Sequence, residues 1–153
     1  MGAKVRAALA LLGVSATLFL AASPAQAAPA NFTRISNAAL NWAESHAEGH
    51  PYIWAGTGPY GYDCSGLVVA AFAREGISLP HNTVAMIESG KLIRVYSPQR
   101  GDLAFWGDPR WPSHVEFVTK WYHTSFGAQE PGTVVYWHHW NGWWAPSSFW
   151  RVE

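Results

Sequence analysis

The sequence predicts an α+β fold, with helices first and then an antiparallel sheet of about five to six strands that the helices cover on one face. Three observations lead there. Apolar residues recur at helical spacing in the first half of the chain. Strand-like alternation replaces that pattern beyond residue 90. Asn141-Gly142, set between two aromatic arms, is a two-residue hairpin signal. At 153 residues the chain has the length of a single domain.

Residues 1–27 stand apart. Lys4 and Arg6 precede an apolar run from Ala7 to Ala22, and Ala25-Gln26-Ala27 is a small-x-small cleavage site. This is the anatomy of a secretory signal peptide. Cleavage after Ala27 leaves about 126 residues, enough for a real core. The apolar run is too short and wrongly flanked for a stable span, and no later segment reaches about 18 unbroken apolar residues. The mature chain is therefore read as carrying no integral membrane segment.

Residues 28–35 read as an N-terminal tail and residues 36–153 as the folded domain. Ser36 is a candidate N-cap for a helix whose apolar face is Ile35, Ala39, Trp42, Ala43 and His46, with Gly49 and Pro51 as its stop. Three glycines and a proline make residues 55–62 a loop. Asp63-Cys64-Ser65-Gly66 opens the next element; Asp63 or a nearby loop residue can cap a helix running through Leu67 to Arg74, with Gly76 as its stop. That helix is apolar on all sides, so it should be buried. A third, short helix starts near Asn82-Thr83 and ends at Gly90.

Pro98 to Asp102 is a turn, Leu103 to Trp106 a strand, and residues 107–113 a loop with two prolines. His114 to Lys120 alternates as a strand, and Thr124 to Ala128 is a weaker one. Glu130-Pro131-Gly132 turns the chain. Val134 to Trp140 and Trp143 to Val152 are the two arms around Asn141-Gly142, with Pro146 marking an edge or a bulge.

Composition narrows the function. The formal net charge is zero; once Lys4 and Arg6 leave with the signal peptide, it is about −2, which argues against nucleic acid and other polyanions. Charged residues make up 13% and ten tryptophans are present, so the chain is not disordered. Cys64 is the only cysteine. It cannot form an internal disulfide, and in an oxidising compartment a free thiol is a liability. It is buried and inert, bonded to another chain, or kept for its reactivity.

A cysteine at a helix N-terminus sits in the positive end of the helix dipole, among unpaired N–H groups. Both favour thiolate over thiol, from an ordinary pKa of about 8.5. Attack by that thiolate needs a base, and His114, opening a strand after a loop, is the best candidate. The competing reading of Cys64 is a small buried hydrophobe.

The residues around Cys64 carry a resemblance. Pro51 to Pro59 (PYIWAGTGP), followed by Tyr62-Asp63-Cys64-Ser65-Gly66-Leu67, resembles the nucleophile region of the NlpC-type cell-wall cysteine peptidases. Gly76-Ile77-Ser78-Leu79-Pro80, Gly101-Asp102-Leu103 and His114-Val115 follow in the family's order and at roughly its spacing. The matches span about residues 38 to 128.

The resemblance implies a papain-like fold and hydrolysis of amide bonds in peptidoglycan stem peptides, often at the bond from γ-D-glutamyl to a diamino acid. It implies Cys64 as nucleophile, His114 as general acid/base, and Tyr52, Asp63 and Ser65 shaping the adjoining substrate subsite. Asp63 as a plain helix cap and Tyr52 as core packing are the structural alternatives. The family usually has a polar third residue about a dozen positions past the base, and here the best-aligned residue is Gly127. His123, Gln129, His138 and Glu116 are the candidates to orient the imidazole, and His123 is favoured. Period-2 alternation places Glu116 on the face of His114, at a position where relatives usually have glycine. Ala55 also replaces a usual glycine.

Thiolate attack with the Cys64 N–H as oxyanion donor requires no metal and no cofactor. His138-His139 lacks the spacing of a helical zinc pair. Eight of the ten tryptophans lie beyond residue 100, and Trp137, Trp140, Trp143 and Trp144 flank Asn141-Gly142. Cross-strand packing is the favoured account of them, with one or two rings at a groove. Besides a secreted, monomeric cysteine peptidase, two alternatives stand: a non-catalytic wall-binding module on the same fold, and an amidase or acyl transferase using the same dyad.

Overall fold

The computed structural model describes residues 28–120 and 123–153. The proposed signal peptide, residues 1–27, lies outside the described residues. Three helices and six strands follow in the order α1 (Ala28–His46), α2 (Cys64–Arg74), α3 (Thr83–Glu88), β1 (Leu92–Val95), β2 (Leu103–Asp108), β3 (Trp111–Val118), β4 (Thr124–Gly127), β5 (Tyr136–His139) and β6 (Ser148–Val152). The strands form one sheet in the order β1-β6-β2-β3-β4-β5, every pairing antiparallel. The α+β architecture read from the sequence is the one observed. Among the described residues no helix is long and apolar enough to cross a membrane.

Helix α1 starts at Ala28, so the segment read as a tail is its first two turns. Proline is tolerated at the start of a helix because its missing N–H would have no partner there. Beyond Pro29 nothing breaks the helix, and Arg34 donates to Asn31 Oδ1 at 3.0 Å one turn back. Ser36 is not a cap but a fully buried residue within the helix. Its neighbours on the buried face, Ala39, Leu40, Ala43 and Ala47, enter the core.

Helix α2 is the central buried helix its all-apolar surface predicts. Leu67, Val68, Ala71 and Phe72 are sealed against Leu103, Phe105, Val115, Phe117 and Phe126 from the sheet, and Phe72 stacks on Phe117 with ring centroids 5.8 Å apart. Asn82 caps α3 through Ala85 N–H at 2.9 Å.

Alternation along β3 gives the sheet its second face. Val115 and Phe117 point to the helices, whereas Ala104, Trp106, Val118 and Trp140 form a separate buried cluster with Trp144 and Phe149. His114 belongs to this second side, its ring 5.3 Å from that of Trp106.

Three further features depart from the sequence reading. The loop expected over residues 107–113 shrinks to a turn at 109–110, because β2 runs on to Asp108 and β3 starts at Trp111, with Gly107 pairing with Pro112 and Asp108 with Trp111. Strand β1 was not anticipated; it is a four-residue edge strand that is buried mainly at Leu92. The Asn141-Gly142 hairpin does not form. Strand β5 pairs with β4 at one edge, while β6 lies between β1 and β2. The connection between them crosses the second face of the sheet and contains a short 3-10 turn, Gly142–Trp144. Pairing on both sides satisfies the backbone of β6, β1 and the outer edge of β2 together. A local β5–β6 hairpin would leave two of those edges unpaired.

Candidate active site

The site is built on the N-terminus of α2. Asp63 caps the helix, its Oδ1 accepting from Gly66 N–H at 2.7 Å. Its Oδ2 accepts from Ala55 N–H at 2.8 Å, and His81 Nε2 lies 2.7 Å from Oδ1. One buried carboxylate thus fixes the helix start, the loop before it and the segment just before α3. Gly66 permits that closeness: a Cβ there would fall 1.9 Å from the Gly56 carbonyl oxygen. The Cys64 N–H opens the helix, where no intrahelical carbonyl can accept it.

Cys64 is half-buried and lines a cavity of about 270 Å³ together with Tyr52, Asp63 and Ser65. His81, His114 and Gln129 line the same cavity. The structure therefore brings together the predicted nucleophile, base and subsite residues. Burial raises the Tyr52 pKa, and charge on Cys64 and Asp63 adds to that rise, so its hydroxyl remains a hydrogen-bond donor beside the thiol.

Cys64 and His114 face one another across the same cavity, close enough to interact electrostatically. His114 Nε2 is taken by Glu116 Oε1 at 2.9 Å, which leaves Nδ1 as the ring nitrogen that Glu116 does not engage. Burial alone would lower the His114 pKa. The nearby Cys64 and the hydrogen bond and charge of Glu116 outweigh it and raise the value from 6.5 to about 9.

Glu116 is fully buried. Burial alone would raise its pKa, but the hydrogen bonds from His114 and His138 bring it down to about 2. His138 Nδ1 sits 3.0 Å from Oε1, and the Ser125 hydroxyl donates to Oε2 at 2.5 Å. An ionised carboxylate buried without partners would be prohibitive; here three groups hold it in place.

His123, the favoured third residue, is not at this site. Its ring stacks on Trp140 at 4.8 Å, beside a different cavity that includes Pro98, Val118 and Phe149. The reason is register. Phe117 pairs with Phe126 and Val118 with Ser125, so one step further sets Gly127, not His123, opposite Glu116. A Cβ on Gly127 would lie 2.5 Å from Glu116 Cγ. The glutamate fills the room that the missing side chain on β4 leaves. Alternation along β3 was the signal that could have put Glu116 first. His81 was missed, because nothing in the local pattern ties it to Asp63.

The tryptophans divide. Trp140 is buried and Trp137 packs on Phe126 at 4.9 Å, as cross-strand packing requires. Trp144 stacks on Trp106 at 4.8 Å and its ring lies 6.3 Å from that of His114. Trp143 is 93% exposed.

Residues 49–120 match the NlpC/P60 family. The NlpC/p60 domain of the peptidoglycan hydrolase SagA superposes with a TM-score of 0.65 at 30% identity, over 77% of this chain and 97% of that domain. The chain belongs to the NlpC/P60 family. Its curated NlpC/P60 relatives include a probable endopeptidase of Mycobacterium tuberculosis, 46% identical over 61 residues, which are 39% of this chain and 16% of the relative. Another is a γ-D-glutamyl-L-lysine dipeptidyl-peptidase of Bacillus cereus, 33% identical over 73 residues, or 48% of this chain and 22% of the relative. The chain thus spans about a fifth or less of the length of these curated relatives. The papain-like fold read from the motif is the fold observed.

Proposed function

We propose that this NlpC/P60 domain is a cysteine peptidase that hydrolyses an amide bond in peptidoglycan stem peptides, at the γ-D-glutamyl to diamino acid linkage. A cavity lined by both Cys64 and His114, with the imidazole held from behind by Glu116, carries the reading. The γ-D-glutamyl-L-lysine activity in the name of the Bacillus cereus relative supports the choice of bond.

The Cys64 thiolate attacks the carbonyl carbon, and the resulting oxyanion is met by the Cys64 N–H at the helix start. His114 gives its proton to the leaving nitrogen as the C–N bond breaks. Water then adds to the thioester, His114 takes its proton, and the carboxylic acid leaves with the thiolate restored. Glu116 holds the imidazole in the tautomer and orientation that both steps need. Tyr52, Ser65 and Asp63 line the cavity beside Cys64.

Residues 1–27 support export of the chain as a signal peptide. A protein recovered from the culture medium should begin at Ala28, and one that retains Met1 there would exclude cleavage.

The test is mass spectrometry of purified peptidoglycan incubated with the chain. New γ-D-glutamyl carboxyl termini and free diamino acid amines are expected, and Cys64→Ala should yield none. Unchanged muropeptides would refute the peptidase reading. New amide cross-links in place of termini would identify an acyl transferase.

A further inference from the structure

A second groove of about 610 Å³ meets the cysteine cavity at Ser113, His114 and Gln129 and extends away from Cys64. Its walls are Trp143 and Trp144, on the connection that crosses the sheet. They differ in role. Trp144 is half-buried and fixed by its stack on Trp106. Trp143, at 93% exposure, offers an indole that stacks on no ring among the described residues. Facing these rings are two primary amides (Asn141 and Gln129), the Glu130 carboxylate and the His139 imidazole.

This lining has a chemical meaning. A pyranose ring has an apolar C–H face and a rim of hydroxyls that both donate and accept. An indole face covers the first, while amides, carboxylates and imidazoles satisfy the second. Among the described residues no lysine or arginine lines the groove, and the cationic His114 on its wall is already paired with Glu116, so the lining lacks the paired donors that hold a phosphate. Its volume exceeds twice that of the cysteine cavity and falls in the range of pockets that enclose whole small ligands. A single ammonium side chain would need one carboxylate and one ring, and would leave most of that space empty.

We propose that this groove is a saccharide subsite, in which Trp143 stacks on a neutral sugar ring of the wall glycan while Asn141, Gln129, Glu130 and His139 hydrogen-bond its hydroxyl and acetamido groups. The sugar's identity as wall glycan rests on the peptidase reading, whereas the subsite itself does not. It would hold the glycan beside the bond being cut, because His114 lines both cavities.

The experiment is titration of the full-length chain with chitotetraose, followed by tryptophan fluorescence and by NMR of the indole N–H groups. Saturable binding is expected, weakened about tenfold by Trp143→Ala and in part restored by Trp143→Phe, since stacking is worth of the order of 1.4 kcal/mol here. Circular dichroism of each variant checks its fold. Absence of saturable binding, or binding indifferent to Trp143, would overturn the proposal. So would Trp143-dependent binding of free lysine or diaminopimelate in place of chitotetraose, which would make the groove an ammonium site. A chain that binds chitotetraose through Trp143 yet cuts no stem peptide would refute the peptidase and leave the subsite standing; cleavage without sugar binding would do the reverse.

Discussion

Ala55 illustrates what a single residue contributes to the site. Its φ of +59° is left-handed, a conformation that costs an L residue with a Cβ about 1–2 kcal/mol. The residue stays there because its N–H is claimed by Asp63 Oδ2, the same carboxylate that caps α2. Replacing it with glycine relieves the strain but adds freedom to the unfolded chain, worth about 0.4–1 kcal/mol in the other direction. Ala55→Gly should therefore stabilise the protein by about 0.5–1 kcal/mol, read as a rise in the urea midpoint at unchanged slope. A fall in the midpoint would show that the loop is unstrained. The sequence already showed a non-glycine where relatives usually have glycine, but not the direction in which the backbone had gone.

Legibility at the scale of single residues followed the range of the forces involved. The roles of Asp63 as cap and Cys64 as the first helical residue are set within a few positions, and both were readable. The partnership of His114 with Glu116 was half-readable, because alternation puts both on one face of β3 but does not rank them against residues on β4. That ranking depended on register.

Among the elements, β3 and β4 decide the site together. Glu116 occupies the space that a side chain at Gly127 would need, so the two positions act as one unit. Gly127→Ala should displace the carboxylate and lower kcat by about 10–100-fold, the usual effect of disturbing a residue that orients a catalytic group. The double variant Glu116→Gly with Gly127→His moves the orienting group to the neighbouring strand, where the family usually has it. It should be more active than the two single effects multiplied together, as contacting residues are non-additive. Strict additivity would mean that the two positions are independent.

Most elements were legible because each carries its own periodicity: α2 through its run of apolar residues, β3 through alternation, α3 through the Asn82 cap. The exceptions were those whose partner is distant. Strand β1 is four residues long and pairs only with β6, so it has no local signature. Asn141-Gly142 has a hairpin's composition, yet the chain leaves it to cross the sheet, because β6 is paired by β1 and β2. That crossing places Trp144 beside His114 and Trp143 at the mouth of a groove, an outcome no local window of sequence contains.

For the whole molecule, the buried pair of His114 and Glu116 links stability to pH. The His114 pKa is raised in the folded state, so its contribution is complete below 6.5 and is lost as pH climbs through about 9. The Glu116 pKa is lowered, so its contribution is complete above 4.5 and is lost as pH falls through about 2. The pair therefore contributes most between about pH 4.5 and 6.5, where both windows overlap. Thermal unfolding from pH 3 to 9 should show the wild type losing stability on both sides of that window, with a flatter profile for Glu116→Gln. Parallel profiles for the two proteins would contradict the charge assignment.

The same network gives the most direct measurement of the central claim, that a Cys64 thiol paired with a Glu116-held imidazole cuts stem peptides. It is kcat/KM on a soluble stem peptide from pH 5 to 10 for the wild type, Cys64→Ala and Glu116→Gln. The account predicts an alkaline limb near pH 9 in the wild type, where His114 loses its proton. It predicts a limb shifted toward 6.5 in Glu116→Gln and no hydrolysis by Cys64→Ala. An unmoved limb in Glu116→Gln, or hydrolysis that survives loss of the thiol, would contradict it.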